Sequence, residues 1–237
     1  MAANVAVRDL RRMWKPHKER LNVVDAEHPT NVRFHRACSW LQRAEQATKD
    51  DADLSLLCRW IAFNALYGQW DHGNREPVAD TECWKVFLER MVELDRSGRI
   101  ADVVRRNRPL AMAIFDDEFL SRYYWQEPTG KRAGQSKRTM FDARTWFVQG
   151  KWLPIVDRLV DRIYFLRCQL VHGAATYNGS LNRTAIRNCS QALDLLLRAF
   201  LLTWIDHGSD EDWGILCYPP LRSKSTARSP PPGSTAH

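Results

Sequence analysis

The 237-residue chain has no stretch of about 18 consecutive apolar residues, which excludes a helix crossing a membrane. Its start, MAANVAVRDLRRMWKPHKER, lacks the apolar core of a secretory signal, so the expected compartment is the cytosol. Cysteine is sparse and scattered: the six lie at 38, 58, 83, 168, 189 and 217. They form no CxxC and no Cys/His cluster, which argues against structural zinc, and we read all six as reduced thiols. Eleven Gly and eleven Pro are too few for a fibrous or wholly disordered chain. Clean period-two alternation is absent, so no strand is expected. Lysine is also scarce. Of 35 basic residues only 8 are Lys and 27 are Arg, against 28 acids, for a net charge of +7. Arginine is the better fork for phosphate, so the balance permits a polyanionic partner, although a solvated basic surface explains charge alone equally well.

What remains is helical periodicity. A helix is expected from Asn31 to about Ala47, with Phe34, Cys38 and Leu41 on one face. From Asp53 to about Trp70, Leu54, Leu57, Ile61 and Ala65 form one apolar stripe, and Leu56, Trp60, Phe63 and Tyr67 form another. A helix apolar on two sides belongs at the centre of a bundle. Two long helices follow near the C-terminus, about Trp152 to Val171 and about Asn182 to Ile205. The organisation expected is therefore a charged arm with one short helix at 1–29, an all-α domain at 30–218 with a helical insert at about 71–150, and a tail at 219–237. The tail is basic and Pro/Ser-rich, which predicts disorder. Within the insert, GKRAGQSKR at 130–138 holds two Gly and no acid, and reads as a mobile basic loop. Its Lys131, Arg132, Lys137 and Arg138 can neutralise phosphates.

In the first long helix Leu153, Val156, Val160 and Ile163 step by three and four. The next step falls on Arg167 and the one after on Leu170. A guanidinium on an apolar seam is costly without an anionic partner. His172 closes the helix and Gly173 suits the position just past its end. An Arg followed after four residues by His arises by chance about 0.8 times in a chain of this composition. The chain contains another, Arg12 with His17, within the charged arm. The seam, the helix end and the glycine set Arg167 and His172 apart.

The text LRCQLVHG followed by TYNGSLNR, together with WIAFNALYG at 60–68, resembles the Apea-like branch of the HEPN superfamily. The resemblance covers roughly residues 31–70 and 152–205. It implies an all-α HEPN-like helical bundle with a helical insert between core helices. It also implies a metal-independent endoribonuclease with no cofactor, acting as a homodimer with the motif Arg and His at the interface. By position these are Arg167 and His172. RNA is the implied substrate, and an antitoxin or another defence-system protein is the implied kind of partner. The place after the motif Arg, which the family often fills with Asn, Asp or His, holds Cys168 here. That departure favours an alternative: a non-catalytic HEPN-like module that binds RNA, nucleotide or a protein.

The chemistry of the residues agrees with cleavage. Metal-free RNA scission needs a base for the 2′-OH, an acid for the leaving 5′-oxygen and positive charge on the phosphorane. Histidine suits the proton transfers and arginine the phosphoryl oxygens. Positions five apart on a regular helix differ by about 140° in azimuth. Arg167 and His172 therefore converge only if the helix end unwinds or a second subunit contributes. Further candidates are Asn64 and Tyr67 on the central helix, and Asn182 and Arg183 at the start of the last helix, where Asn182 also suits an N-cap. Asp116, Asp117 and Glu118 are read as a helix-start charge cluster in preference to a Mg²⁺ site. Trp40, Trp60, Trp84 and Trp204 fall on apolar faces and are expected in the core.

Overall fold

The computed structural model describes residues 5–47, 51–127, 129–180 and 182–218; the tail at 219–237, expected to be disordered, lies outside the described residues. Among the described residues ten α-helices dominate: α1 (Val7–Val24), α2 (Pro29–Gln46), α3 (Ala52–Tyr67), α4 (Asp80–Leu94), α5 (Arg99–Arg106), α6 (Arg108–Asp116), α7 (Arg122–Gln126), α8 (Gly130–Gln149), α9 (Trp152–Val171) and α10 (Arg183–Thr203). A 3-10 turn at Glu118–Leu120 precedes α7, and a π-turn at Trp204–Gly208 extends α10. The fold is all-α apart from a two-residue hairpin, β1 (Trp70–Asp71) and β2 (Glu76–Pro77), which pair antiparallel. No helix among the described residues is long and apolar enough to cross a membrane.

The centre is α3, but only one of its two apolar stripes is buried: Leu56, Trp60, Phe63 and Tyr67 lie in the core, whereas Leu54, Leu57 and Ala65 are half-buried and Ile61 is 38% exposed. Its N-cap is Asp51, whose carboxylate accepts from the Leu54 N–H at 3.0 Å. Leu56, Ala62, Phe63 and Leu66 are fully buried. α2 packs antiparallel on one side, and α10 runs alongside in the same direction. Asp53 meets Arg183, Arg59 meets Ser190 and Asp194, and Phe63 stacks on Phe200. An aromatic cluster joins the layers. Trp60 lies edge-on to Trp84, Tyr164 of α9 packs 4.9 Å from Trp84, and Trp204 stacks on Trp213 at 4.1 Å. Trp60, Trp84 and Trp204 are buried as expected, whereas Trp40 is 41% exposed because α2 turns that face to solvent.

Two segments differ from the sequence expectation. Residues 7–24, expected to be an arm with one short helix, form an 18-residue helix. Val7, Leu10, Trp14 and Leu21 give α1 a buried stripe, and Trp14 stacks on Phe34 of α2 at 4.5 Å. Pro16 is accommodated inside the helix. Residues 130–138, expected to be a mobile loop, form the first half of α8. The apolar residues that anchor α8 lie in its second half, where Ala143 is buried and Met140, Trp146 and Phe147 pack against the core. A helix nucleated there extends back through the glycines.

Two buried arginines hold the bundle in ways no periodicity suggests. Arg33 is 1% exposed and faces only backbone carbonyls. It donates to Leu66 and Gly68 at the C-terminal end of α3, and to Trp213, Gly214 and Ile215. Burial pushes its guanidinium down to about 10, so it stays charged at neutral pH. The oriented carbonyl ends of α3 supply compensating partial charge. Arg162 of α9 is 3% exposed and donates to the Asp117 carbonyl at 3.2 Å.

Candidate active site

The sequence pattern reads the motif helix correctly from end to end. α9 is α-helical through Val171, with His172 at its C-cap. Gly173 adopts φ +72°, the Gly173 N–H bonds the Leu170 carbonyl at 3.2 Å, and the Ala174 N–H bonds the Gln169 carbonyl at 2.8 Å. That pair of bonds is a Schellman closure, and a residue with a Cβ would be strained at Gly173. The closure fixes the His172 backbone and leaves its side chain exposed at the end of a helix.

Arg167 is half-buried, one turn before the helix end. Its guanidinium carbon lies 5.9 Å from the centre of the Tyr164 ring, and its Nη1 lies 4.0 Å from the Cys168 sulfur. Among the described residues it has no carboxylate within ion-pair distance. Other inward-facing arginines differ. Arg59 pairs with Asp194, Arg183 with Asp53, and Arg198 with both Asp194 and Glu45. The cation on the motif seam thus keeps its forked donors available to an incoming anion.

Facing it is a polar cluster that joins two of the predicted residues to one the sequence reading missed. Asn64 donates its amide to the Tyr67 hydroxyl at 3.1 Å and to Asp80 Oδ1 at 3.0 Å. The Tyr67 hydroxyl donates to the same Asp80 oxygen at 3.0 Å. Burial is the main cause that pushes the Tyr67 phenol up, and Asp80 adds to it, while the nearby Arg167 charge pulls weakly the other way. Tyr67 is thus a fixed donor and not a base. The amide of Asn64 and the hydroxyl of Tyr67 are engaged by Asp80, so neither is placed to hold a phosphate directly. Their effect is to hold the Asp80 carboxylate in place. Asp80 sits in the first turn of α4, sixteen residues from Asn64, and its only sequence signal was an acid at a helix start.

The remaining candidates separate. Asn182 occupies the N-cap position of α10 at φ +60°, but its side chain caps nothing. It reaches across to Gln169 of α9 at 3.4 Å, next to the turn that carries His172. Arg183, expected to favour substrate, is committed to the fold: it pairs with Asp53 at 2.7 Å and donates to the Gly179 carbonyl. Tyr177 and Asn178 bind Asp51 and Asp53, so the loop after His172 is tied to the start of α3. Lys131, Lys137 and Arg138 are exposed on α8, and Arg132 belongs to the same helix. Asp117 accepts from the Phe119 N–H and caps the 3-10 turn, as expected of a helix-start acid; burial is the main cause raising its carboxyl. No group of three potential metal ligands occurs among the described residues. In the second Arg-x4-His pair, His17 stacks on Trp14 at 5.0 Å and serves α1 packing. All six cysteines are free. Cys38, Cys58, Cys83 and Cys189 are buried, and burial pushes the Cys38 thiol up to about 12.

Compared with protein-family models, curated proteins and solved structures, the chain matches none.

Proposed function

We propose that this protein is a metal-independent endoribonuclease of HEPN type that acts as a homodimer, with Arg167 and His172 as its catalytic residues. The observation that carries the proposal is the half-buried Arg167, without a carboxylate partner among the described residues, on the same helix as an exposed His172 fixed by a Schellman closure. Because α9 stays regular through Val171, the two side chains of one chain point about 140° apart. A single chain therefore does not present both to one phosphate, and the reading requires a two-fold partner.

In this mechanism His172 takes the proton from a 2′-OH, and the freed oxygen attacks the adjacent phosphorus. Arg167 stabilises the charge that develops on the phosphoryl oxygens. The P–O5′ bond breaks, and the leaving oxygen takes a proton from water; the His172 and the Arg167 that meet at one phosphate come from different subunits. The products are a 2′,3′-cyclic phosphate and a 5′-hydroxyl end. Asn64 and Tyr67 hold Asp80. The biological setting implied by the resemblance is defence or a toxin system, with an antitoxin or other defence protein as partner.

The test is incubation of purified protein with RNA, with and without EDTA. Cleavage unaffected by EDTA, cyclic-phosphate ends, and a ~10²–10⁴-fold slower rate in His172→Ala are expected. Cleavage that stops with EDTA, or that survives His172→Ala, overturns the mechanism. Wild-type protein that binds RNA without cutting it supports the non-catalytic module instead, the reading that Cys168 favours.

A further inference from the structure

The helix that replaces the expected N-terminal arm builds a site of its own. Between α1 and α2 lies an open cleft of about 980 Å³. Six cations line it: Arg8, Arg11, Arg12, Lys15 and Lys18 from α1, and Arg36 from α2. The single acid in its lining is Glu19. The α1 cations recur every three or four residues, so they fall on one side of the helix beside its buried stripe, over a length of about 15 Å. Arg12 and Lys15 have acidic neighbours, Asp9 at 3.3 Å and Glu19 at 3.7 Å, on the exposed surface where such pairs are weak. Arg8, Arg11, Lys18 and Arg36 have no carboxylate partner among the described residues; Arg11 donates to Gln42, and Arg36 to the carbonyls of Cys217 and Tyr218.

The wall under these charges is rigid. Trp14 is stacked between Phe34 and His17, and its indole N–H donates to Asn31 at 3.1 Å. Asn31 in turn donates to Asn22 at 2.8 Å and to the Lys18 carbonyl at 3.3 Å. Because Trp14 is only 3% exposed, no base can stack on it. The cleft offers aligned positive charge over a floor whose Trp14 and Phe34 rings are buried, with His35 as the one exposed ring in its lining. That is the chemistry of a groove that follows a phosphate backbone without reading bases.

We infer that the α1–α2 cleft is a sequence-independent binding groove for the phosphate backbone of single-stranded RNA, separate from Arg167 and His172. The identity of the strand rests on the ribonuclease reading; the preference for a run of phosphates rests on the cleft alone. The groove gives the protein affinity for the strand, and the motif helix supplies the chemistry.

The test is equilibrium binding of a fluorescein-labelled 15-nucleotide oligouridine across a KCl series. The proteins are the full chain and Arg8→Ala/Arg12→Ala/Lys15→Ala/Lys18→Ala, all exposed positions. A second variant, Lys15→Glu/Lys18→Glu, changes charge at only two sites. Each neutralised phosphate contact contributes about 0.7 to the log–log salt slope for single strands, so the quadruple variant should lose roughly 3 from its slope. Affinity at low salt should fall by about tenfold or more. ATP is the second arm: as a short run of phosphates on a free nucleotide, it should compete only weakly. An unchanged slope in both variants overturns the groove, as does absence of RNA binding by the wild type. Tight ATP binding that displaces the oligomer overturns the strand in favour of a free nucleotide. Binding is read without cleavage, so loss of the nuclease reading with an intact slope difference leaves the groove standing.

Discussion

Arg167→Ala and His172→Ala chains, each without activity, should regain cleavage when mixed and allowed to exchange subunits. The geometry of α9 sets this expectation. Five residues of helix separate the two Cα atoms by about 7.5 Å along the axis, and their side chains leave it about 140° apart. The guanidinium also folds back over Tyr164, a residue three positions earlier and away from the helix end. On the proposed reading the Arg167 and His172 of one chain do not meet at one phosphate, and productive pairs form between chains. A mixed dimer keeps the arginine of one chain and the histidine of the other, which restores one of two such pairs. Random exchange at equal concentrations makes about half the dimers mixed, so recovery should approach a quarter of wild-type activity. The assay is cleavage of a labelled RNA after incubation of the two variants above the dimer dissociation constant, with exchange followed by a size tag on one chain. A mixture that exchanges completely and stays inactive would refute the reasoning, since it would place the working pair within a single chain. So would light scattering that shows an active monomer.

Two further outcomes concern the scaffold. Arg33→Met should destabilise the fold by about 3 kcal/mol in urea denaturation, because it removes the donor of three buried carbonyls, Leu66, Gly68 and Trp213, and of two part-buried ones; a loss below ~1 kcal/mol would contradict the role given to that side chain. For Asp194, burial raises the carboxyl, but Arg198 and Arg59 outweigh it and hold the group below its ordinary 3.8. A depressed acid contributes stability that is present above the unfolded value and is lost as pH falls through the folded one. Asp194→Asn should therefore cost about 2 kcal/mol at pH 7, with the gap from wild type closing towards pH 2; a gap independent of pH would contradict the assignment.

The parts of the structure that were legible are those set by local periodicity. α9 runs from Trp152 to Val171 as the apolar steps and Gly173 indicate, and α3 is central through the stripe of Leu56, Trp60, Phe63 and Tyr67, while the stripe that includes Ile61 stays partly exposed. The stripe Val7, Leu10, Trp14 and Leu21 was equally present in the sequence, but Pro16 and the density of charge masked it. α8 was hidden for a different reason: its anchoring residues lie after the glycine-containing segment, and the helix extends from them. The candidate site was legible only on α9. Arg167 stood out because it broke a pattern. Asp80 did not, since its role depends on Asn64 and Tyr67 meeting it across α3 and α4. Arg33 and Arg162 were invisible for the same reason, as their acceptors are carbonyls that tertiary structure brings to them.

The contacts of Arg33 also impose an order in time. Its guanidinium is about 180 residues earlier in the chain than three of the carbonyls that receive it. During synthesis α2 and α3 leave the ribosome long before residues 213–215, so the early helical pair holds a cation it cannot fully satisfy. Contacts this distant in sequence close late and slow the search for the native state. The last described segment thus acts as the latch of the bundle, and a chain cut short before Trp213 would lose the closing step for helices it had already formed.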